Sequence, residues 1–387
     1  MTPHPEFEDS DEQFNIAVRL YGRGDHESIA EAVNYWRRAA AAGHHDAQYN
    51  LGKVLFERGD PRSVAEAELW WRAAADAGDP GAAYNLGILL HQRGHIEAVA
   101  EAEKYWRAAA HAGDAGAQYN LGVLLDARGD AESLAEAEWW WRRSCDGGHS
   151  GAQYSLGALI NERGAAGAET LWREAADAGN VDAQLNVGVL LYQHGGDESL
   201  LEAELWWRRA SDAGCADAQY NLGAVLLERG DAASSVEAEL WWRRAGQAGH
   251  VDAQYDLGGL LYRRAAVDSE AEAEQWWRKA ADGGHLEAQY NLAGLLYSTG
   301  TPQALREAET RWRQAADAGH ISAQYNLGVM LSQRGDPAAI AEAESLWVLA
   351  AATGHSGARR NNAALRILKE GACAVTRPPL PSNDERG

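Results

Sequence analysis

Ala47-Gln48-Tyr49-Asn50-Leu51-Gly52 decides the fold of this chain, because the same six residues return at Ala117, Ala218 and Ala323. Followed through its aromatic position, the pattern runs Phe14, Tyr49, Tyr84, Tyr119, Tyr154, Leu185, Tyr220, Tyr255, Tyr290, Tyr325, Arg360. Nine of the steps are 35 residues and one is 31. Self-similarity at such a period marks a stacked architecture of small units that bury their apolar faces on one another. Length alone would divide 387 residues into roughly two or three domains. The repeat instead predicts one array over residues 11–371, between a disordered segment 1–10 and a disordered, proline-containing tail 372–387 that includes Pro378-Pro379-Leu380-Pro381.

Each unit reads as two helices. In the unit His45 to Asp79, Ala47, Leu51, Val54 and Leu55 make an amphipathic helical stripe, and Gly59 ends that helix. Val64, Ala67, Trp71, Ala74 and Gly78 make the stripe of the second. Ser63 with Glu66 predicts a capping box at its start, repeated at Ser28/Glu31, Ser133/Glu136, Ser199/Glu202, Ser234/Glu237 and Ser269/Glu272. A glycine closes every second helix, from Gly43 to Gly354. In the 31-residue unit the four missing residues fall after Arg163, and the tolerance of loops for deletion places the loss in the loop between the helices.

Asn-Leu-Gly-x-x-Leu, then Ala-x-x-x-Trp, then Ala-Ala-x-x-Gly resembles the tetratricopeptide-repeat superfamily, and most closely its Sel-one-like repeat (SLR) family. Ala218, Leu222, Gly223, Ala238, Trp241, Trp242, Ala245 and Gly249 carry the motif in one unit. The chain departs from the family in the inter-helix loop, where Arg-Gly-Asp-x-x-Ser replaces Gly-x-Gly-Val. The resemblance implies an all-α, right-handed solenoid of about ten helix-turn-helix units with a C-terminal capping helix. It also implies a protein-interaction scaffold without chemistry of its own, and a cytoplasmic location is expected.

Composition points the same way. Acidic residues number 57 and basic residues 35, a net charge of −22, which disfavours nucleic acid because such binding rests on neutralising phosphates. Cys145, Cys215 and Cys373 share no spacing that would build a disulfide framework or a zinc site. Met1 to Ser10 has neither the basic nor the apolar region of a signal peptide, and no apolar run is long enough to span a membrane. No nucleophile–base pair, phosphate loop or metal-binding string occurs, so neither an enzyme nor a cofactor is expected.

Five recurring features have plain structural readings. The second Trp of each unit, such as Trp71, Trp141 and Trp347, fills the space between helices, and the partial column Trp70, Trp140, Trp206, Trp241 and Trp276 packs between units. His44, His149, His250, His285, His320 and His355 follow a closing glycine as helix N-caps. Arg-Gly-Asp at residues 23, 58, 128, 229 and 334 is a helix-ending glycine with a turn aspartate, not an adhesion motif. Glu–Arg pairs four apart, from Glu68–Arg72 to Glu309–Arg313, read as a solvated helix face worth ~0.2–0.5 kcal/mol per pair.

One column has two readings. The helical wheel turns Tyr49 and Asn50 away from their own hairpin's stripe, yet Tyr84, Asn85, Tyr119, Asn120, Asn186, Tyr220, Asn221, Tyr290, Asn291, Tyr325 and Asn326 repeat them, with Ser155 and Asp256 as exceptions to the Asn. An amide both donates and accepts, which suits an extended peptide main chain. In tetratricopeptide proteins the matching Asn lines the concave groove. The other reading has Tyr and Asn tying neighbouring units together. The expectation is therefore a monomeric adaptor for an extended segment of another protein, with a self-associating assembly as the rival. Polar ends, Ser10 to Gln13 and Arg359, Arg360 and Asn362, favour the adaptor.

Overall fold

The two-helix unit repeats in the computed structural model, which describes residues 9–164, 166–264 and 267–375. α1 (Ser10–Tyr21) pairs with α2 (His26–Ala41), α3 (His45–Arg58) with α4 (Pro61–Asp76), and α5 (Pro80–His91) with α6 (Ile96–His111). α7 (Ala115–Asp126) pairs with α8 (Ala131–Asp146), and α9 (Ser150–Glu162) with α10 (Ala168–Asp177). α11 (Val181–His194) and α12 (Asp197–Asp212) follow. α13 (Ala216–Glu228) then pairs with α14 (Ala232–Gln247), and α15 (Val251–Arg263) with α16 (Val267–Asp282). α17 (Leu286–Thr299) pairs with α18 (Pro302–Asp317), α19 (Ile321–Ser332) with α20 (Pro337–Ala352), and α21 (Ser356–Val375) comes last. The described residues are all-α, a solenoid of helical hairpins divided into two compact units, Met1–Ala203 and Glu204–Gly387.

α1 already begins at Ser10 with Asp9 as its cap, and α21 continues to Val375. The remainder of the two terminal segments, 1–8 and 376–387, lies outside the described residues.

The helix ends follow from glycine. At Gly43, Gly78 and Gly113 φ is between 91° and 98°. There the N–H of His44 reaches back to the Ala39 carbonyl at 3.0 Å, closing the last turn of the second helix. The starts of the second helices differ from the expected capping box. The cap is Asp60, whose carboxylate accepts from the N–H groups of Arg62 and Ser63 at 3.1 Å. Asp25, Asp130 and Asp231 likewise accept from Ser28, Ser133 and Ser234. Serine is the third residue of the helix, not its cap, since the aspartate straight after a positive-φ glycine reaches the free donors first. This also settles Arg-Gly-Asp: Gly59 has φ 72° and Asp60 caps α4.

The 31-residue unit is a second correction. Its loop is not shortened. α10 has 10 residues where the other second helices have 16, and Gly167, with φ 113°, stands as an N-cap without a side-chain bond. The second helix is six residues shorter although only four residues are missing, so the loss falls on the start of the helix and not on the loop.

In most units the second-column Trp lies on a glycine of the preceding helix, as Trp71 does on Gly52 and Trp141 on Gly122. A Cβ on Gly122 would stand 2.4 Å from the Trp141 indole, so only glycine admits the ring at that distance. Its Nε1–H donates to the Tyr119 carbonyl at 3.3 Å, as Trp71 does to Tyr49 and Trp242 to Tyr220. Between units the buried Gln48, Gln118, Gln184, Gln219, Gln254, Gln289 and Gln324 donate to a carbonyl eight residues earlier, at the end of the preceding second helix. Those carbonyls lie in the last turn, where each accepts the N–H of the closing glycine, as Ala40 does from Gly43 at 3.0 Å, and the Gln amide adds a second donor.

Candidate functional site: the face of the first helices

Tyr49, Asn50, Tyr84, Asn85, Tyr119, Asn120, Asn186, Tyr220, Asn221, Tyr290, Asn291, Tyr325 and Asn326 all lie half-buried on first helices. The Tyr rings reach forward to the next unit. Tyr119 stacks on His149 at 4.6 Å and 24°, and Tyr220, Tyr255, Tyr290 and Tyr325 stack in the same way on His250, His285, His320 and His355. Each of those histidines is a helix N-cap: Nδ1 of His149 accepts the Ala152 N–H at 3.3 Å, and His355 accepts from Ala358 at 3.1 Å. Nε2 of His320 lies 3.1 Å from a Glu287 carboxylate oxygen, so cap, stack and this hydrogen bond use up the ring. Burial holds the His149 imidazole below its ordinary pKa, which keeps Nδ1 an acceptor. Where no histidine follows, the Tyr84 ring closes on Gly116, whose Cβ would come within 2.9 Å of it.

The Asn side chain joins the same seam. Nδ2 of Asn291 donates to the Tyr255 hydroxyl at 3.3 Å, and Asn326 to Tyr290 at 3.4 Å. In the unit where aspartate replaces asparagine, the hydrogen bond reverses, and the Tyr220 hydroxyl donates to Asp256 at 2.9 Å. Burial raises the pKa of both partners.

Beside these pairs the first helices leave grooves. Between α5 and α7 a groove of about 350 Å³ is lined by Tyr84, Ile88, His91, Asn120, Val123 and Leu124. Between α13 and α15 another of about 380 Å³ is lined by Ala224, Leu227, Glu228, Asp256 and Arg263. The amide carbonyl and its second N–H are the groups that a main chain laid here would meet.

The second helices carry a network that the four-residue spacing only half reveals. Arg72 holds Glu68 on its own helix and also Glu101 of the next second helix, at 3.1 and 2.8 Å. Arg107 holds Glu103 and Glu136, Arg243 holds Glu239 and Glu272, and Arg313 holds Glu309 and Glu342. The loop arginines close the circuit: Arg93 binds Glu68, Arg128 binds Glu103, and Arg334 binds Glu309. A supposed solvated face is thus an inter-unit ladder, and Glu66 and Glu136, expected in capping boxes, are its rungs. The first Trp column braces them, Trp140 donating to Glu136 at 3.1 Å and Trp241 to Glu237 at 3.2 Å.

Cys145 is half-buried, and burial pushes its thiol up to about 11, the opposite of a reactive cysteine. Among the described residues no three His, Cys, Asp or Glu gather as metal ligands, and no helix is long and apolar enough to cross a membrane.

The Sel1 repeat family matches residues 13–44, 45–79, 80–114, 115–149, 181–215, 216–250, 251–285, 286–320 and 321–355. The stretch left between matches, 150–180, is the short unit. Among solved structures, a protective antigen of uropathogenic Escherichia coli strains displaying an SLR fold is 26% identical, with a TM-score of 0.71 over 92% of this chain and 79% of that one. A Sel1 repeat protein from Oxalobacter formigenes is also 26% identical, with a TM-score of 0.56 over 81% of this chain and 93% of that one. No curated protein sequence matches.

Proposed function

Because the chain belongs to the Sel1 repeat family, a repeat fold that typically serves as a protein-interaction scaffold, we propose that it is a non-enzymatic adaptor that grips an extended segment of another protein. The segment lies on the face of the first helices, the concave face of a tetratricopeptide stack. One observation carries this reading. Grooves of similar size recur between successive first helices in both compact units, each lined by the residue at the Asn50 position, Asn120 in one and Asp256 in the other. Tyrosine hydroxyls of the preceding unit hold the amides of Asn291 and Asn326, so the side chain at this position is oriented before any partner arrives, which lowers the ordering cost of binding. The acidic surface favours segments that carry lysine or arginine. Its compartment is proposed to be the cytoplasm.

The test is selection of extended peptides from a random display library, followed by binding to an Asn85→Ala/Asn120→Ala variant. Selected peptides should lose at least about tenfold in affinity, since each lost bond costs ~0.5–1.5 kcal/mol. Undiminished binding by that variant would move the site elsewhere. Sedimentation velocity over a concentration series tests the rival, a self-associating assembly.

A further inference from the structure

The Arg–Glu ladder is interrupted once among the described residues, in the short unit. Glu136 lies five residues before Trp141, and Glu237 five before Trp242; five before Trp172 stands Gly167. Among the described residues, Arg142, whose counterparts each hold a glutamate of the following second helix, therefore keeps Glu138 on its own helix, at 2.6 Å, and no glutamate of the next. Its side chain is 58% exposed, against 33% for Arg107.

The gap is not bare polar surface. Trp139, 47% exposed, sits one helical turn before Arg142 and packs edge-on against Trp140 at 4.4 Å. The Arg143 guanidinium lies 5.0 Å over the Trp139 ring. In a chain of net charge −22, Arg142 and an open indole three residues before it thus share one helix face, beside a second helix that lacks its first turn and a half.

We infer that this gap is a docking site for an acidic helical turn of a partner protein, whose glutamate takes the rung that Gly167 leaves empty on Arg142 and whose apolar neighbour covers Trp139. The occupant is specified by the rest of the molecule. At Arg107 the same place is filled by a helical turn bearing Glu136, and at Arg72 by one bearing Glu101. A carboxylate on a helix is what this arginine column binds wherever the column is complete, and charge complementarity favours it. The site lies on the second helices and does not depend on the Tyr–Asn face.

The probe is a helix-stapled, fluorescein-labelled peptide with the sequence of Ile96–His111, which carries Glu101, titrated against the full chain by anisotropy. Saturable binding is expected, weakened about tenfold or more by Glu101→Gln in the peptide and by Arg142→Ala or Trp139→Ala in the protein, the weight of one charge-assisted contact. Arg107→Ala should leave binding unchanged, and circular dichroism should show full helix content in each variant. Restoring four residues after Arg163, with glutamate five before Trp172, should abolish binding by filling the site from within. Absence of saturable binding, or equal binding by Arg142→Ala, overturns the inference. So does concentration-dependent self-association in sedimentation that Arg142→Ala abolishes, because a second copy would then be the occupant.

Discussion

The indole of Trp141 donates to the main-chain carbonyl of Tyr119 at 3.3 Å, and the bond exists because Gly122 lets the ring lie against its helix. The chain contains its own control. Ala17 and Ala293 occupy the Gly122 position in two other units, and in those units the buried Nε1 of Trp36 and Trp312 has no hydrogen-bond partner. One methyl group is enough to lift the indole off its acceptor.

Gly122→Ala should therefore destabilise the protein although alanine is the better helix former. An unsatisfied buried donor costs ~1–3 kcal/mol, against ~1 kcal/mol regained in helix propensity. A net loss of up to about 2 kcal/mol is expected in the denaturant midpoint. The reverse change, Ala293→Gly, should be close to neutral, because the regained bond and the lost propensity nearly cancel. Stabilisation by Gly122→Ala would contradict the account.

The ladder makes a prediction that separates two arginines of like sequence context. Arg107 bridges two glutamates with a side chain one-third exposed, whereas Arg142 holds one and is more exposed. Exposed pairs contribute ~0.2–1 kcal/mol each. Arg107→Ala should cost about 1 kcal/mol and Arg142→Ala about half or less. Chemical denaturation at about 0.05 M and about 0.5 M salt checks this, since screening should shrink the difference.

How far these features can be read without coordinates depends on how local they are. The period, the two stripes, the closing glycines and the histidine caps are each decided within one unit, and the structure has them where the sequence puts them. The ladder joins residues 29 apart, such as Arg107 and Glu136, and only the register of neighbouring second helices brings them together. The true caps were obscured because Asp-x-x-Ser-x-x-Glu contains two overlapping cap patterns three residues apart. Glycine's positive φ, which selects the first, leaves no mark on the residue types. The four missing residues read as loop because Ala168 and Trp172, which mark the stripe of the second helix, keep their spacing. The Tyr–Asn seam was visible as a column, but its hydroxyl–amide bonds span 36 residues.

Asp256 is the one described carboxylate in a column of amides that the structure pairs with a tyrosine hydroxyl. Burial raises its pKa, so the folded state disfavours its charge. A raised carboxylate contributes stability below its unfolded pKa and loses it as pH rises through the folded value. At neutral pH the penalty is fully felt. Asp256→Asn brings in the residue that Asn291 and Asn326 show to fit, donating to the tyrosine instead of accepting. It should raise the midpoint at pH 7 by ~0.5–2 kcal/mol, the usual range for such consensus changes. The gain should fade towards pH 4, where the native carboxyl is protonated. A variant equally stabilised at both pH values would show that charge burial is not the cause.

His149 should make the fold acid-sensitive in the opposite direction. Its Nδ1 accepts the Ala152 N–H and its ring stacks on Tyr119, and burial holds its pKa below the ordinary value. The unfolded chain therefore takes up this proton at a higher pH than the folded one. The site's contribution is complete above the unfolded pKa of about 6.5 and is lost as pH falls through the folded value. Protonation also converts the cap from acceptor to donor, leaving the first turn of α9 without its bond. Asparagine caps α11 at Asn180, accepting from Ala183 at 2.8 Å, and it does not titrate. His149→Asn should therefore be nearly neutral at pH 7.5, giving up the stack but keeping the cap, and should lose less stability than the native protein on going to pH 5. Thermal melts of both proteins at the two pH values measure the difference. Parallel losses would place the acid sensitivity in the glutamates of the ladder, where Arg107 holds Glu136 below the usual carboxylate range, and not in the histidine cap.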